Sequence, residues 1–177
     1  MREKVGIYKQ NNLNYSNHPP YFPPCIFPEY PFKDARTDKR NAVYSSLREL
    51  LKLLGFDLKN FDSEHWNPFS SFISPGQAVL LKPNLVRHFS DNGNLGCLIT
   101  HGSLIMAVVD YVYIALKGKG RIIIADGPMD AADFEKIAEI NGLYKIKEFY
   151  RDKADFNVEI YDLRREMVIK KNNRIVE

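Results

Sequence analysis

Arg121-Ile122-Ile123-Ile124-Ala125-Asp126-Gly127-Pro128 is the stretch on which the fold turns. Its unbroken β-branched run is the clearest strand in the chain, and Asp-Gly-Pro ends it at once. Upstream, Ala78-Val79-Leu80-Leu81 is a second short apolar run bounded by turn residues, as a buried parallel strand would be, and Lys82-Pro83-Asn84 closes it. Downstream, Phe156-Asn157-Val158-Glu159-Ile160-Tyr161 alternates and reads as a third strand.

Helical patterns separate these strands. Between the first two, Thr100 or Ser103 can cap an apolar helix that stops at Gly118 to Gly120. After the second, a helix spans Ala131 to Ile140, breaks at Asn141-Gly142 and resumes to Tyr150. Ahead of them all, Val43, Leu47, Leu50, Leu51 and Leu54 recur at threes and fours from Arg40 to Leu54, with Gly55 as a stop. Strands alternating with helices predict an α/β fold, a mainly parallel sheet with flanking helices. Val5 to Tyr8 is expected to supply a first strand, and Met167 to Val176 a hairpin turning at Asn172-Asn173. No internal repeat or linker divides residues 1–177, which read as a single domain. The final Asn173-Arg174-Ile175-Val176-Glu177 looks like a strand entering further structure, so the chain reads as a shortened form of a longer domain.

Tyr15 to Phe32 holds six of the ten prolines, interleaved with Tyr21, Phe22, Ile26, Phe27 and Tyr30. That density forbids a helix, and the aromatic residues suit an extended arm packed on its own domain better than a polyproline ligand for another protein.

Composition narrows the function. With 177 residues and 45% hydrophobic content the chain can bury a core, which excludes disordered and fibrous classes. The 25 basic and 22 acidic residues leave +3 with no block of either sign, so neither a nucleic-acid surface nor a polybasic membrane surface is expected. Cys25 and Cys97 are too few for a disulfide framework, an iron–sulfur cluster or a four-thiolate zinc site. The polar start lacks a signal-peptide core, and Leu104 to Leu116 is too short to span a bilayer and carries Asp110. A cytoplasmic protein without membrane insertion is expected. The uniformly apolar Leu104–Leu116 helix suits a central layer or a homo-oligomer contact.

In a parallel sheet, ligands bind beyond the carboxyl ends of the strands. Lys82-Pro83-Asn84 and Asp126-Gly127-Pro128 end two adjacent strands, so their side chains are expected to share one edge. Lys82 would hold an anion or act as a base, and Asn84 would donate to a substrate oxygen or tie its own loop. Thr100, Gly102 and Ser103 open a helix whose positive end could hold a phosphate or carboxylate. His101 would be a neutral general base oriented by Asp126, or a helix-entry residue bonded to backbone. Arg87 and His88 could close over the substrate, and Gly127 lies at the same edge. A divalent metal on Asp126, Asp130 and Asp133 is a further reading, against the alternative that Asp130 or Asp133 caps the next helix. Zinc on His65, His88, His101 and Asp126 has no diagnostic spacing. There is no Gly-x-Gly-x-x-Gly, no Walker loop and no Gly-x-Ser-x-Gly elbow, which argues against dinucleotide binding, P-loop hydrolysis and α/β-hydrolase chemistry.

Val79-Leu80-Leu81-Lys82-Pro83-Asn84-Leu85-Val86, Ile99-Thr100-His101 and Arg121 to Pro128 together resemble the family called domain of unknown function 362. Trp66-Asn67-Pro68 and Arg87-His88 look most like its branch encoded among bacterial capsule and exopolysaccharide biosynthesis genes. The resemblance implies an α/β domain and a role in polysaccharide or cell-envelope metabolism. Some relatives carry ferredoxin-like cysteine clusters, which this sequence lacks. The expected partner is an anionic small molecule, a sugar phosphate or nucleotide sugar, either transformed by the site or held there by a non-catalytic binding protein.

Overall fold

The computed structural model describes residues 5–11 and 15–164, together with the backbone of 170–171 and 174–175. Three strands, β1 (Ala78–Leu81), β2 (Arg121–Asp126) and β3 (Asn157–Asp162), form an all-parallel sheet in the order β1-β2-β3. Leu81 lies beside Ile124, which lies beside Ile160. The helices are α1 (Ala42–Leu53), α2 (Gly102–Leu116), α3 (Phe134–Ile140) and α4 (Leu143–Ala154). The α/β fold expected from the sequence is the fold observed.

Successive parallel crossovers of one hand put α2 and α4 on the same side of the sheet. Burial agrees: Ile122, Ile124 and Val158 on that side are enclosed, whereas Leu80 and Tyr161, on the alternate register, stay about half exposed. Helix α2 forms the middle layer, with the sheet on one flank and α1 and the aromatic arm on the other, so Met106, Val109, Tyr111 and Leu116 are fully enclosed. Among the described residues no helix is long and apolar enough to cross a membrane.

The arm lies on this helical layer. Tyr21 and Tyr30 are buried, and Phe32 packs against Tyr113, Phe149 and Tyr150. Asn41, just ahead of α1, does not cap that helix; its side-chain amide donates to the carbonyls of Tyr21 (3.0 Å) and Phe22 (2.9 Å). Glu29 of the arm receives two hydrogen bonds from Arg48 of α1, at 2.8 and 3.2 Å, and one from the Tyr111 hydroxyl of α2 at 3.1 Å. The rings of Phe27, Phe61 and Trp66 surround the Arg48 guanidinium at 4.4 to 5.2 Å, so a charge pair is held inside an aromatic shell.

Several boundaries differ from the sequence reading. Val5 to Tyr8 is not a strand: Gly6 runs against the side chains of Leu50 in α1 and of Leu54 just after it, and Val5 and Ile7 face solvent. Helix α3 begins at Phe134 rather than Ala131, because Asp133 caps it by accepting the Lys136 N–H at 3.1 Å. Helix α4 runs past Tyr150 to Ala154, where Asp155 stops it in the left-handed conformation. The expected C-terminal hairpin appears as Lys170–Lys171 pairing antiparallel with Arg174–Ile175; its turn at Asn172-Asn173 and its flanks at 167–169 and 176 lie outside the described residues.

Candidate functional site

The carboxyl ends of β1 and β2 meet as their sequences predict. Lys82 leaves β1 and Asp126 ends β2, and the ammonium lies 2.6 Å from Asp126 Oδ1. The carboxylate is almost wholly buried, while Lys82 is 60% exposed, so the pair is anchored on one side and open on the other. The second carboxylate oxygen accepts the Leu85 N–H at 2.6 Å. Asp126 thus fixes the Lys-Pro-Asn turn through one side-chain and one backbone donor.

The turn then pairs with the segment that leads into α2. Thr100 N–H donates to the Asn84 carbonyl (2.7 Å), Asn84 N–H donates to Thr100 Oγ1 (3.0 Å), and Val86 N–H donates to the Leu98 carbonyl (2.9 Å). Further bonds tie down the loop after β2. Met129 N–H donates to Val86 O at 3.0 Å, Leu163 N–H donates to Asp126 O at 2.9 Å, and Arg164 donates to the carbonyls of Met129 (3.2 Å) and Ala132 (2.9 Å). Arg164 is itself held by Asp162, whose carboxyl it keeps below the usual range.

A groove of about 470 Å³ opens beside this turn, between β1 and α2. Leu81, Pro83, Leu104, Ile105 and Val108 form its apolar walls, and Lys82, Asn84 and Thr100 form its polar end. Lys82, Asn84 and Thr100 therefore line one groove.

His101 goes elsewhere. It caps α2: its Nδ1 accepts the Ser103 N–H at 3.1 Å and lies 2.9 Å from Ser103 Oγ. A neutral ring that accepts at Nδ1 carries its proton on Nε2. Tyr15 stacks on the ring at 4.3 Å and Tyr21 meets it edge-on at 5.4 Å, and this burial lowers the His101 pKa. The expected orientation of His101 by Asp126 is not formed: the Asp126 carboxylate meets Lys82 and Leu85, and His101 Nδ1 meets Ser103. Neither Thr100 nor Ser103 is the cap, because His101 occupies that position.

The start of α2 is not an open anion cradle either. Gly102 and Ser103 are buried, the Ser103 N–H is taken by His101, and those of Leu104 and Ile105 are taken by the His101 carbonyl. A Cβ on Gly102 would fall 2.1 Å from the Asn141 carbonyl oxygen and 2.6 Å from the Tyr21 ring, so glycine is required here by close packing. Asn141, which in the sequence only marked a break between helices, closes this corner: its amide donates to Thr100 O at 2.8 Å, and its carbonyl receives the Tyr21 hydroxyl at 3.2 Å.

The remaining candidates disperse. His88 accepts the Asp133 N–H at 2.9 Å and so joins its loop to the start of α3. Arg87 lies over the Phe89 ring at 4.9 Å, and Gly127 is exposed at the strand end. Asp130 is exposed, Asp133 is taken up by its cap, and His65 lies on the surface beside Glu64. Among the described residues no three His, Cys, Asp or Glu side chains gather to hold a metal.

Against protein-family models, residues 79–174 match Domain of unknown function (DUF362). The chain belongs to that family. The matched region begins inside β1 and takes in Lys82-Pro83-Asn84, the α2 cap and Asp126-Gly127-Pro128, so the family match covers both halves of the strand-end site. No curated protein and no solved structure matches the chain.

Proposed function

We propose that the chain binds an anionic sugar derivative, a sugar phosphate or nucleotide sugar, in polysaccharide or cell-envelope metabolism. The observation that carries this reading is the Lys82–Asp126 pair at the mouth of the groove. One ammonium hydrogen serves Asp126, and the exposed remainder of the head group points donors at whatever enters; the Asn84 amide and Thr100 hydroxyl stand at the same end. The capsule and exopolysaccharide setting rests on the resemblance of Trp66-Asn67-Pro68 and Arg87-His88 to that branch. A cytoplasmic, reducing compartment suits two exposed free thiols, Cys25 and Cys97.

Two versions share this pocket: an enzyme that moves a proton, and a carrier or sensor that does not. The engagement of His101 in the α2 cap favours the second, and contact with a carboxylate suits Lys82 as a fixed cation rather than as a base. The test is thermal denaturation against sugar phosphates, nucleotide sugars and divalent metals, with Lys82→Ala and His101→Ala alongside. A ligand-dependent rise in Tm that Lys82→Ala removes supports the anion site. A cooperative melt that no ligand moves refutes it.

A further inference from the structure

Resting on that reading, we infer that the ligand is an amphiphile: a phosphate or carboxylate that carries an apolar chain. The groove has two chemically distinct parts. Its polar end holds Lys82, Asn84 and Thr100, and beyond them come only aliphatic walls, Leu81 from β1 and Leu104, Ile105 and Val108 from α2.

A bare sugar phosphate matches one part and not the other. Its hydroxyls, placed against Leu104 and Val108, would lose water without gaining hydrogen-bond partners. A nucleotide sugar carries the same polar load in larger measure. An alkyl or isoprenoid chain covers those walls with favourable burial, while its anionic head meets the Lys82 ammonium and the Asn84 and Thr100 donors. The sugar then projects past the polar end into solvent, where its hydroxyls stay hydrated. Charge complementarity at one end and apolar complementarity along the rest thus select one occupant.

The probe is n-octyl phosphate below its micelle concentration, titrated calorimetrically into the full chain beside inorganic phosphate, glucose 1-phosphate and the uncharged n-octyl glucoside. Octyl phosphate is expected to bind at least tenfold more tightly than either water-soluble phosphate, equivalent to about 1.4 kcal/mol. Lys82→Ala should weaken octyl phosphate several-fold and leave octyl glucoside unchanged. Val108→Asn should remove the advantage of the chain while preserving binding of the head group, and Leu81→Asn, at a half-buried strand position on the α2 side of the sheet, does the same if Val108→Asn fails to fold.

Equal affinity for octyl phosphate and glucose 1-phosphate, both sensitive to Lys82→Ala, overturns the amphiphile and leaves the anion site standing. Indifference of every anion to Lys82→Ala overturns both. Loss of octyl phosphate binding to self-association of the chain through β1, seen as a concentration-dependent mass, assigns the groove to protein and likewise overturns the amphiphile.

Discussion

Asp110→Asn should abolish a pH dependence built into the centre of the protein. Asp110 sits in the middle of α2 with no exposed surface, receives the Tyr150 hydroxyl on one oxygen and has no partner for the other. Burial pushes its carboxyl from the ordinary 3.8 up to about 7, against the opposing pull of the Tyr150 hydroxyl. The folded state therefore holds a proton that the unfolded chain releases, and stability is greatest below about pH 4 and declines as pH rises to about 7. Each tenfold in proton affinity is worth about 1.4 kcal/mol, so the full decline is on the order of 4 kcal/mol, of which about 3 falls between pH 5 and pH 8.

Asparagine keeps the shape and an acceptor for Tyr150 and cannot ionise. Urea unfolding followed by fluorescence of the enclosed Trp66 would measure both proteins at pH 5 and pH 8. Titration of every other group is common to the two and cancels. The variant should gain on the wild type by about 3 kcal/mol on going from pH 5 to pH 8. Parallel pH profiles would refute a buried, proton-retaining Asp110.

Gly102→Ala should destabilise by about 1 to 3 kcal/mol despite the better helix propensity of alanine, because Asn141 and Tyr21 must both retreat; a chemical denaturation midpoint at or above the wild-type value would contradict the packing described. Glu29→Gln leaves Arg48 enclosed with only the more exposed Asp62 as counter-charge, at 2.9 Å. The expected cost is about 3 kcal/mol, or roughly 6 to 12 °C in Tm by circular dichroism, and an unchanged Tm would mean that the pair does not anchor the arm.

The parallel sheet was legible because Arg121–Ala125 and Ala78–Leu81 are short apolar runs with turn residues at both ends, and only strands fit that length. The Lys82–Asp126 contact was legible for the same reason, since adjacent parallel strands bring their exits together. Helix starts were harder. Thr100 and Ser103 have stronger general capping preferences than histidine, but Ser103 packs inside the first turn and Thr100 pairs with Asn84, which leaves the position to His101. Its partners Tyr15 and Tyr21 lie some eighty residues away in the chain, and no local periodicity announces a contact between segments so distant. Val5–Tyr8 had strand-like residues but no signal for where a partner would be, and its place beside α1 was decided by tertiary packing.

The bonds from Leu163 and Arg164 to the end of β2 impose an order on assembly during synthesis. The arm, α1 and α2 leave the ribosome early and can pack against one another, and Met129 can already bond Val86, yet the Asp126–Ala132 loop gains its second clasp only when residues more than thirty positions later emerge. A nascent chain stopped before β3 would carry its aromatic interior and its Lys82–Asp126 pair in place, with the loop after β2 fastened only on its Val86 side.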